Sequence, residues 1–197
     1  MPTGVAIRDV RSQLFDAAER VLLRDGAAAL TSRAVTTEAG CAKGVLHRHF
    51  ADFDAFLAEL VLDRVGRVAE RADALRAVAG SGSVVGHLTR ALTDLFTPVA
   101  VAMVGLITFR DGLRARLRAA GQRGIPVLTQ ATAMIVEYLG AERESGRIAA
   151  DADVDTLALS LIGTGHLLFA GDDGTPRAQA VRRIVASVVS GALTEPE

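Results

Sequence analysis

The sequence predicts an all-α fold in which a small N-terminal helical unit is followed by a larger one. The apolar half of the composition is mainly Ala, Val and Leu, whereas the aromatic residues are seven Phe and one Tyr, with no Trp. This mixture favours packed helices over a β-sandwich. Apolar residues also recur at spacings of three and four along most of the chain, which is the period of an amphipathic helix. A length of 197 residues allows two units.

Charge is unevenly divided along the chain, although its formal total is only −1. Residues 1–50 hold seven Arg or Lys and five Asp or Glu, whereas residues 51–197 hold fifteen and eighteen. We therefore expect any contact with a polyanion in the first quarter. The single cysteine, Cys41, allows neither an intrachain disulfide nor a thiolate zinc cluster. A cytoplasmic protein is expected, without a membrane span, because no apolar run reaches about 20 residues.

Three helices are predicted in the first 50 residues, over 7–25, 31–39 and 43–49. Thr31 or Ser32 can cap the second helix, and Gly40 can adopt the left-handed conformation that ends one. The third helix is under two turns long and could not form alone. It must be held by Leu46 and Phe50, which lie one turn apart and can pack on the first two helices.

Six further helices are predicted, over 53–78, 84–96, 99–119, 125–145, 154–169 and 178–193. Asp52 can cap the long fourth helix, and Thr175 can cap the last one. A break is predicted at Asp111-Gly112, inside the sixth helix. We place the domain boundary after residue 52, which gives domains over 1–52 and 53–197 and about nine helices in total.

The second and third helices form a pattern typical of a helix-turn-helix. A helix that enters the major groove must be short, exposed on one face and locked by the helix before it. Lys43 and His47 lie four residues apart, as do Gly44 and Arg48, so each pair shares a side of the helix. Lys43 is the only lysine in the chain, and it stands where a helix N-terminus also attracts phosphate. A metal pair at His47 and His49 is not expected, because residues two apart project to different sides of a helix and no Cys or carboxylate lies nearby to complete a site.

The run from Leu30-Thr31 through Ala39-Gly40, followed by residues 42–50, resembles the DNA-binding signature of the TetR family of repressors. The resemblance covers about residues 8–60, including the first helix and the start of the fourth. It implies eight DNA-contacting residues: phosphate contacts from Thr31, Arg33, His47 and His49, base or nearby backbone contacts from Lys43, Gly44 and Val45, and base reading by Arg48.

Three positions depart from the family pattern. Ala42 stands where Ser or Thr is usual, so the recognition helix lacks a side-chain cap worth about 1 kcal/mol. His47 replaces the usual Tyr. Phe53 replaces a Lys that often reaches the DNA backbone, which removes about one unit of salt dependence. We therefore expect modest intrinsic affinity, with dimerisation making up the difference.

The resemblance also implies that the larger domain binds a small-molecule effector and forms a homodimer on a palindromic operator. Apolar and polar residues over 84–169 predict a largely hydrophobic pocket, lined by Phe96, Met103, Phe109, Gln130, Met134, Tyr138, His166 and Phe169. The apolar stripes of the last two helices predict a dimer interface of Leu157, Leu161, Gly165, Leu168, Val181, Val185 and Val188. A single intrachain core would explain the same stripes.

We interpret the chain as a ligand-responsive transcriptional repressor that binds double-stranded DNA. No catalytic residue, cofactor or bound metal is expected. An enzyme is disfavoured because the chain has no phosphate-binding Gly-rich loop after a strand, no HExxH and no GxSxG. An all-helical protein-interaction module stays open as an alternative. Activation instead of repression also stays open, because the same DNA contacts serve both.

Overall fold

The computed structural model describes residues 8–171 and 176–194, and confirms the all-α prediction. The only β-type pairing in the described chain is an isolated bridge between Ile148 and Leu193. A short 3-10 turn, Ala27–Ala29, joins the first two helices. The ten α-helices of the described chain are α1 Arg8–Asp25, α2 Ser32–Glu38, α3 Val45–His49, α4 Phe53–Arg76, α5 Val84–Leu95, α6 Pro98–Phe109, α7 Asp111–Ala119, α8 Pro126–Glu144, α9 Val154–Ala170 and α10 Ala178–Val189.

The helix boundaries follow local capping where the sequence predicted it. The Thr31 hydroxyl oxygen accepts a hydrogen bond from the Ala34 amide at 3.2 Å and caps α2. Asp52 accepts from the Ala55 amide at 2.8 Å at the start of α4. Gly40 has φ +66°, which is the predicted left-handed conformation. The predicted cap at Thr175 lies outside the described residues.

Three predicted boundaries differ from the structure. The break predicted at Asp111-Gly112 lies one residue earlier, at Arg110, where the extended backbone separates α6 from α7. The third helix begins at Val45 instead of residue 43. It is preceded by a tight turn in which the Val45 amide donates to the Ala42 carbonyl at 2.9 Å. The last helix ends at Val189, because the chain then turns so that Leu193 bridges to Ile148.

The described chain divides into two compact units. The first comprises residues 8–62 and 102–123, and the second comprises 63–101, 124–171 and 176–194. Helices α4 and α6 each contribute residues to both units. The functional boundary after residue 52 stays a prediction.

The core of the first unit contains an aromatic cluster. The rings of Phe50 and Phe56 meet edge to face at 5.0 Å, and Phe15 lies 5.6 Å from Phe56. All three rings are buried, as is Leu46 of α3. The two side chains predicted to hold the short α3 therefore do so. Fully burying a side chain of this size stabilises by about 1.5–3 kcal/mol, which offsets the weak intrinsic tendency of a five-residue helix to form.

The second unit is built on α5, α8, α9 and α10. Helix α10 packs against α5 and α9, and α9 packs against α8. Their shared core is aliphatic, with Leu88 and Leu92 of α5 and Val185 of α10 fully buried. No single helix of the described chain is long and apolar enough to cross a membrane, and only α5 and α6 taken together across their break pass that test.

Candidate nucleic-acid interface

The helix that precedes the turn is pinned to α1 by ion pairs. Glu38 of α2 accepts hydrogen bonds from Arg20 Nε at 2.7 Å and from Arg24 Nη1 at 2.8 Å. The Arg20 and Arg24 guanidinium groups hold the pKa of Glu38 below its usual range. The carboxylate is therefore ionised at neutral pH, and α2 is held at one end by these two charges.

The turn between α2 and α3 is closed by backbone hydrogen bonds at Gly40. The Gly40 amide donates to the Thr37 carbonyl at 3.1 Å, and the Cys41 amide donates to the Thr36 carbonyl at 3.0 Å. The second of these bonds is typical of a helix end with a left-handed residue. Cys41 is half-buried in this turn. The turn sets the direction in which α3 leaves α2.

Most of the predicted DNA-binding residues are exposed on the helix-turn-helix. Lys43, Gly44, His47 and Arg48 are exposed, as are Thr31 and Arg33 at the start of α2. Val45 and His49 are half-buried, and the imidazole of His49 lies beside the Phe50 ring at 6.4 Å. The structure thus brings the eight residues onto one helix-turn-helix, with Leu46 and Phe50 on the opposite, buried side.

Positive charge that no carboxylate neutralises is concentrated on this face. Among basic residues between positions 10 and 50, three pair with carboxylates: Arg11 with Glu59, Arg20 with Glu38, and Arg24 with Glu38 and Asp25. The side chains of the other three, Arg33, Lys43 and Arg48, make no hydrogen bond or ion pair with any described residue. These three cations lie at the start of α2, in the turn and on α3. The charge excess of the first quarter is therefore local to the helix-turn-helix.

Phe53, where a cationic residue is usual, has a packing role instead. Its ring stacks on Phe56 at 5.6 Å, and the guanidinium of Arg110 lies 5.1 Å from its centroid. Arg110 also forms an ion pair with Asp54. A Cβ on Gly112 would lie 2.2 Å from Asp54 Oδ2, so glycine permits this close approach. The sequence analysis did not predict that residues 102–123 belong to the same unit as the helix-turn-helix. Gly112, at the helix break, was the available signal of a close approach by another part of the chain.

The eight residues predicted to line one pocket are divided between the two units. Met103 and Phe109 belong to the first unit, where Met103 is fully buried and Phe109 is 88% exposed. In the second unit, Phe96 stacks on Phe169 at 5.5 Å and lies 6.0 Å from His166. Gln130 is half-buried and Tyr138 fully buried, outside the lining of the cavity described next.

The second unit contains a cavity of about 540 Å³ between α4, α5 and α8. Met134 is the only predicted pocket residue in its lining. Half of the lining residues are polar or charged: Arg71, His87, Arg90, Thr93, Asp94 and Thr97. Four of them, His87, Arg90, Thr93 and Asp94, recur at helical spacing on α5, a signal that a search for apolar residues missed.

His166 is held neutral by its surroundings. Burial lowers the pKa of this imidazole below its ordinary value, and its Nδ1 atom has no hydrogen-bond partner among the described residues. The imidazole lies against Phe96, whose ring also approaches Gly165: a Cβ there would lie 2.7 Å from the ring. These residues form a packed aromatic cluster.

The predicted dimer residues lie mostly inside the chain. Leu161, Gly165, Val181 and Val185 are buried within the second unit, and Leu157, Leu168 and Val188 are half-buried. A different stripe of α9 is exposed: Leu159 at 65% and Leu167 at 73%, with exposed Gly163 between them at spacings of four. Helix α9 is apolar on two sides, and periodicity does not tell which side faces the core, so the predicted dimer interface stays a prediction.

Comparisons with known proteins agree with this architecture. Residues 14–60 match the family model described as "Bacterial regulatory proteins, tetR family". A TetR transcription regulator from Haloarcula marismortui ATCC 43049 shares 16% identity, with 95% of this chain and 100% of that chain covered and a TM-score of 0.72. The transcriptional regulator FadR from Bacillus subtilis, solved in complex with stearoyl-CoA, shares 18% identity, with 91% and 98% covered and a TM-score of 0.71. No curated protein matches the chain.

Proposed function

We propose that this chain, which carries a TetR-family helix-turn-helix on the fold of TetR-family regulators, is a ligand-responsive transcriptional repressor that binds a palindromic operator as a homodimer. The observation that carries the proposal is the set of three unneutralised cations, Arg33, Lys43 and Arg48, on one exposed helix-turn-helix face. Phosphate neutralisation by such cations supplies much of protein–DNA affinity. The protein acts in the cytoplasm, without catalysis.

The exposed residues divide into positioning and reading groups. Arg48 projects from α3 and can donate two parallel hydrogen bonds to guanine O6 and N7, a contact worth about 1–3 kcal/mol of discrimination. Arg33 and Lys43 flank it and contact phosphates, which set register without reading sequence. The Thr31 hydroxyl oxygen accepts from the Ala34 amide, so its own hydrogen is free to donate to a phosphate.

A small-molecule effector controls the DNA-bound state. FadR from B. subtilis, which shares the fold, was solved with stearoyl-CoA, and the second unit of this chain has a cavity in the size range of ligand pockets, about 300–1,000 Å³. The effector favours a conformation in which the two recognition helices no longer match the spacing of the major groove, so operator affinity falls. An activator would use the same contacts.

Dimerisation uses the exposed apolar stripe of α9. Leu159, Gly163 and Leu167 lie at spacings of four and present apolar surface that water would otherwise cover. The small Gly163 lets a second helix approach closely. Two-fold pairing along this stripe buries both leucines against a second copy and presents two recognition helices to a palindrome.

Replacing Leu159 and Leu167 together by Glu is expected to convert the dimer to a monomer, because four charged side chains would then meet in one apolar interface. Sedimentation velocity at micromolar concentration measures the change, and operator affinity should fall with it. The matched control is Leu23→Glu, since Leu23 is an exposed leucine of α1. A double variant that sediments like the control refutes this interface.

The proposal as a whole is tested by fluorescence anisotropy of labelled genomic duplexes, including the DNA that flanks this protein's coding region, at two salt concentrations. The expected result is preferential binding to one fragment, weakened by salt with the slope that phosphate contacts produce. Absence of binding at either salt concentration, with protein purified by unfolding and refolding to remove any bound effector, would favour the protein-interaction module instead.

A further inference from the structure

We propose that the cavity of the second unit binds an amphipathic anion, whose apolar body lies against α4 and α8 and whose carboxylate or phosphate head lies on Arg90. This inference rests on the proposed function, in which the cavity takes the effector, and it adds the chemical class of that effector.

Large apolar side chains form part of the lining. Leu75 of α4 and Val78 in the turn that follows it line the cavity, and Leu95 and Met134 add side chains from α5 and α8. Val78 is 37% exposed although it is a large aliphatic residue. Covering these side chains with a hydrocarbon chain removes apolar surface from water, at about 25 cal/mol for each Å².

The lining also offers hydrogen-bond donors that carry positive charge. The Arg90 side chain is exposed, lines the cavity and makes no hydrogen bond or ion pair with any described residue. The second guanidinium group of the lining, that of Arg71, is held by the hydrogen bond that its Nη1 donates to the Asp94 backbone carbonyl at 3.1 Å. A guanidinium group can bind a carboxylate or phosphate through two parallel hydrogen bonds.

The remaining polar groups of the lining do not reverse this preference for an anionic ligand. The Asp94 carboxylate is the one anionic side chain in the lining, against two guanidinium groups. Thr97 Oγ1 accepts from the Ala100 amide at 3.3 Å, so its hydroxyl hydrogen is free to donate. The lining therefore has a net positive charge, with two guanidinium groups that donate hydrogen bonds and one carboxylate that accepts them.

A buried relay fixes the polarity of His87. The Tyr138 hydroxyl donates to Glu142 Oε1 at 2.5 Å, so its oxygen must accept from His87 Nδ1, which lies 3.0 Å away. Nδ1 therefore carries hydrogen, so Nε2 is the one ring nitrogen that can accept a hydrogen bond. His87 and Arg90 lie three residues apart on α5 and so share a face. His87 thus suits a hydroxyl or amide of the ligand next to the anionic head, and Arg90 suits the head itself.

Tyr138 also provides a reporter for the cavity. It is the only tyrosine in a chain without tryptophan, so the intrinsic fluorescence arises from this side chain, one hydrogen bond from His87. A ligand that contacts His87 changes the environment of that hydrogen bond and hence the tyrosine emission.

The test is calorimetric titration of the full chain, without DNA, with four probes of one chain length below their micellar concentrations: dodecanoate, dodecyl phosphate, dodecanol and dodecylamine. At least one anionic probe is expected to bind about tenfold or more tightly than dodecanol and dodecylamine and to change the tyrosine emission, since a charged hydrogen bond contributes about 1.5–3 kcal/mol. The tighter of the two anions identifies the head group.

The decisive variant is Arg90→Gln, which should lose about tenfold or more of the affinity for that anion and leave dodecanol binding unchanged. Its matched control is Arg177→Gln, an exposed arginine outside the cavity lining. Equal binding of dodecanol and both anions, preference for dodecylamine, no binding of any probe, or equal behaviour of the two variants overturns the inference. If the same protein binds the operator, the proposed function stands although this inference fails. If it binds the anion but no operator, the cavity binds an anion and the proposed function fails.

Discussion

Replacing both Lys43 and Arg48 by Ala is expected to lower operator affinity by about thirtyfold or more, the largest effect of any pair of exposed side chains in the helix-turn-helix. Arg48 contributes about 1–3 kcal/mol at each half-site, hence about 2–6 kcal/mol for a dimer, and each 1.4 kcal/mol is a factor of about ten. Both side chains are exposed and unpaired, so their loss leaves the fold intact.

Salt dependence separates the two roles. Lys43→Ala alone should weaken binding to all sequences evenly and reduce the salt slope by about one unit for each half-site. Arg48→Ala alone should reduce the ratio of operator to random-sequence affinity. Anisotropy titrations against the operator and a scrambled duplex, at several salt concentrations, measure both quantities.

Arg118→Ala provides the control for general electrostatics. Arg118 is an exposed arginine of α7 whose side chain makes no hydrogen bond or ion pair with any described residue. Its removal should change affinity far less than removal of Arg48. If Arg48→Ala instead weakened operator and scrambled duplex equally, its role in reading bases would be wrong, although a phosphate contact would still fit.

The largest loss of stability is expected for Glu142→Ala, about 3 kcal/mol in the free energy of unfolding. Glu142 is fully buried and accepts from the Tyr138 hydroxyl at 2.5 Å and from the Gly80 amide at 3.1 Å. Arg147 completes the site with an ion pair at 3.4 Å. Removing the carboxylate takes away the acceptor of the Tyr138 hydroxyl and of the Gly80 amide in the interior, and breaking a buried charged pair typically costs about 3–5 kcal/mol.

Urea unfolding followed by circular dichroism measures this loss, provided the slope with denaturant is unchanged. The matched control is Glu144→Ala, an exposed glutamate on the same helix, which should change stability by no more than about 0.5 kcal/mol. Tyr138→Phe should fall between them, at about 1 kcal/mol, because it removes one donor and leaves the Gly80 and Arg147 contacts in place. If Glu142→Ala is no less stable than Glu144→Ala, the buried relay does not support the fold.

The helix-turn-helix was predictable because its determinants are close in sequence. Thr31 caps α2 through an amide three residues away, and Gly40 ends it with its own left-handed backbone. The polar face of α3 follows from a spacing of four. Such interactions need no knowledge of distant residues, since both partners lie within one or two helical turns.

The cavity and the exposed face of α9 were not predictable in this way. Leu161 and Leu167 are alike as residues, yet the first is buried and the second is 73% exposed. His87 was not singled out, because only the approach of α8 brings it to Tyr138, 51 positions along the chain.

By itself, the sequence determined the all-α class, most helix boundaries and the residues of the exposed face of the helix-turn-helix, because backbone capping and helical periodicity are local. Tertiary structure alone decided which apolar face of α9 is covered, that residues 102–123 share a unit with the helix-turn-helix, and that Arg90 and His87 line a cavity. Burial depends on which distant residues pack against a side chain, and the identity of an apolar helix residue does not indicate those residues.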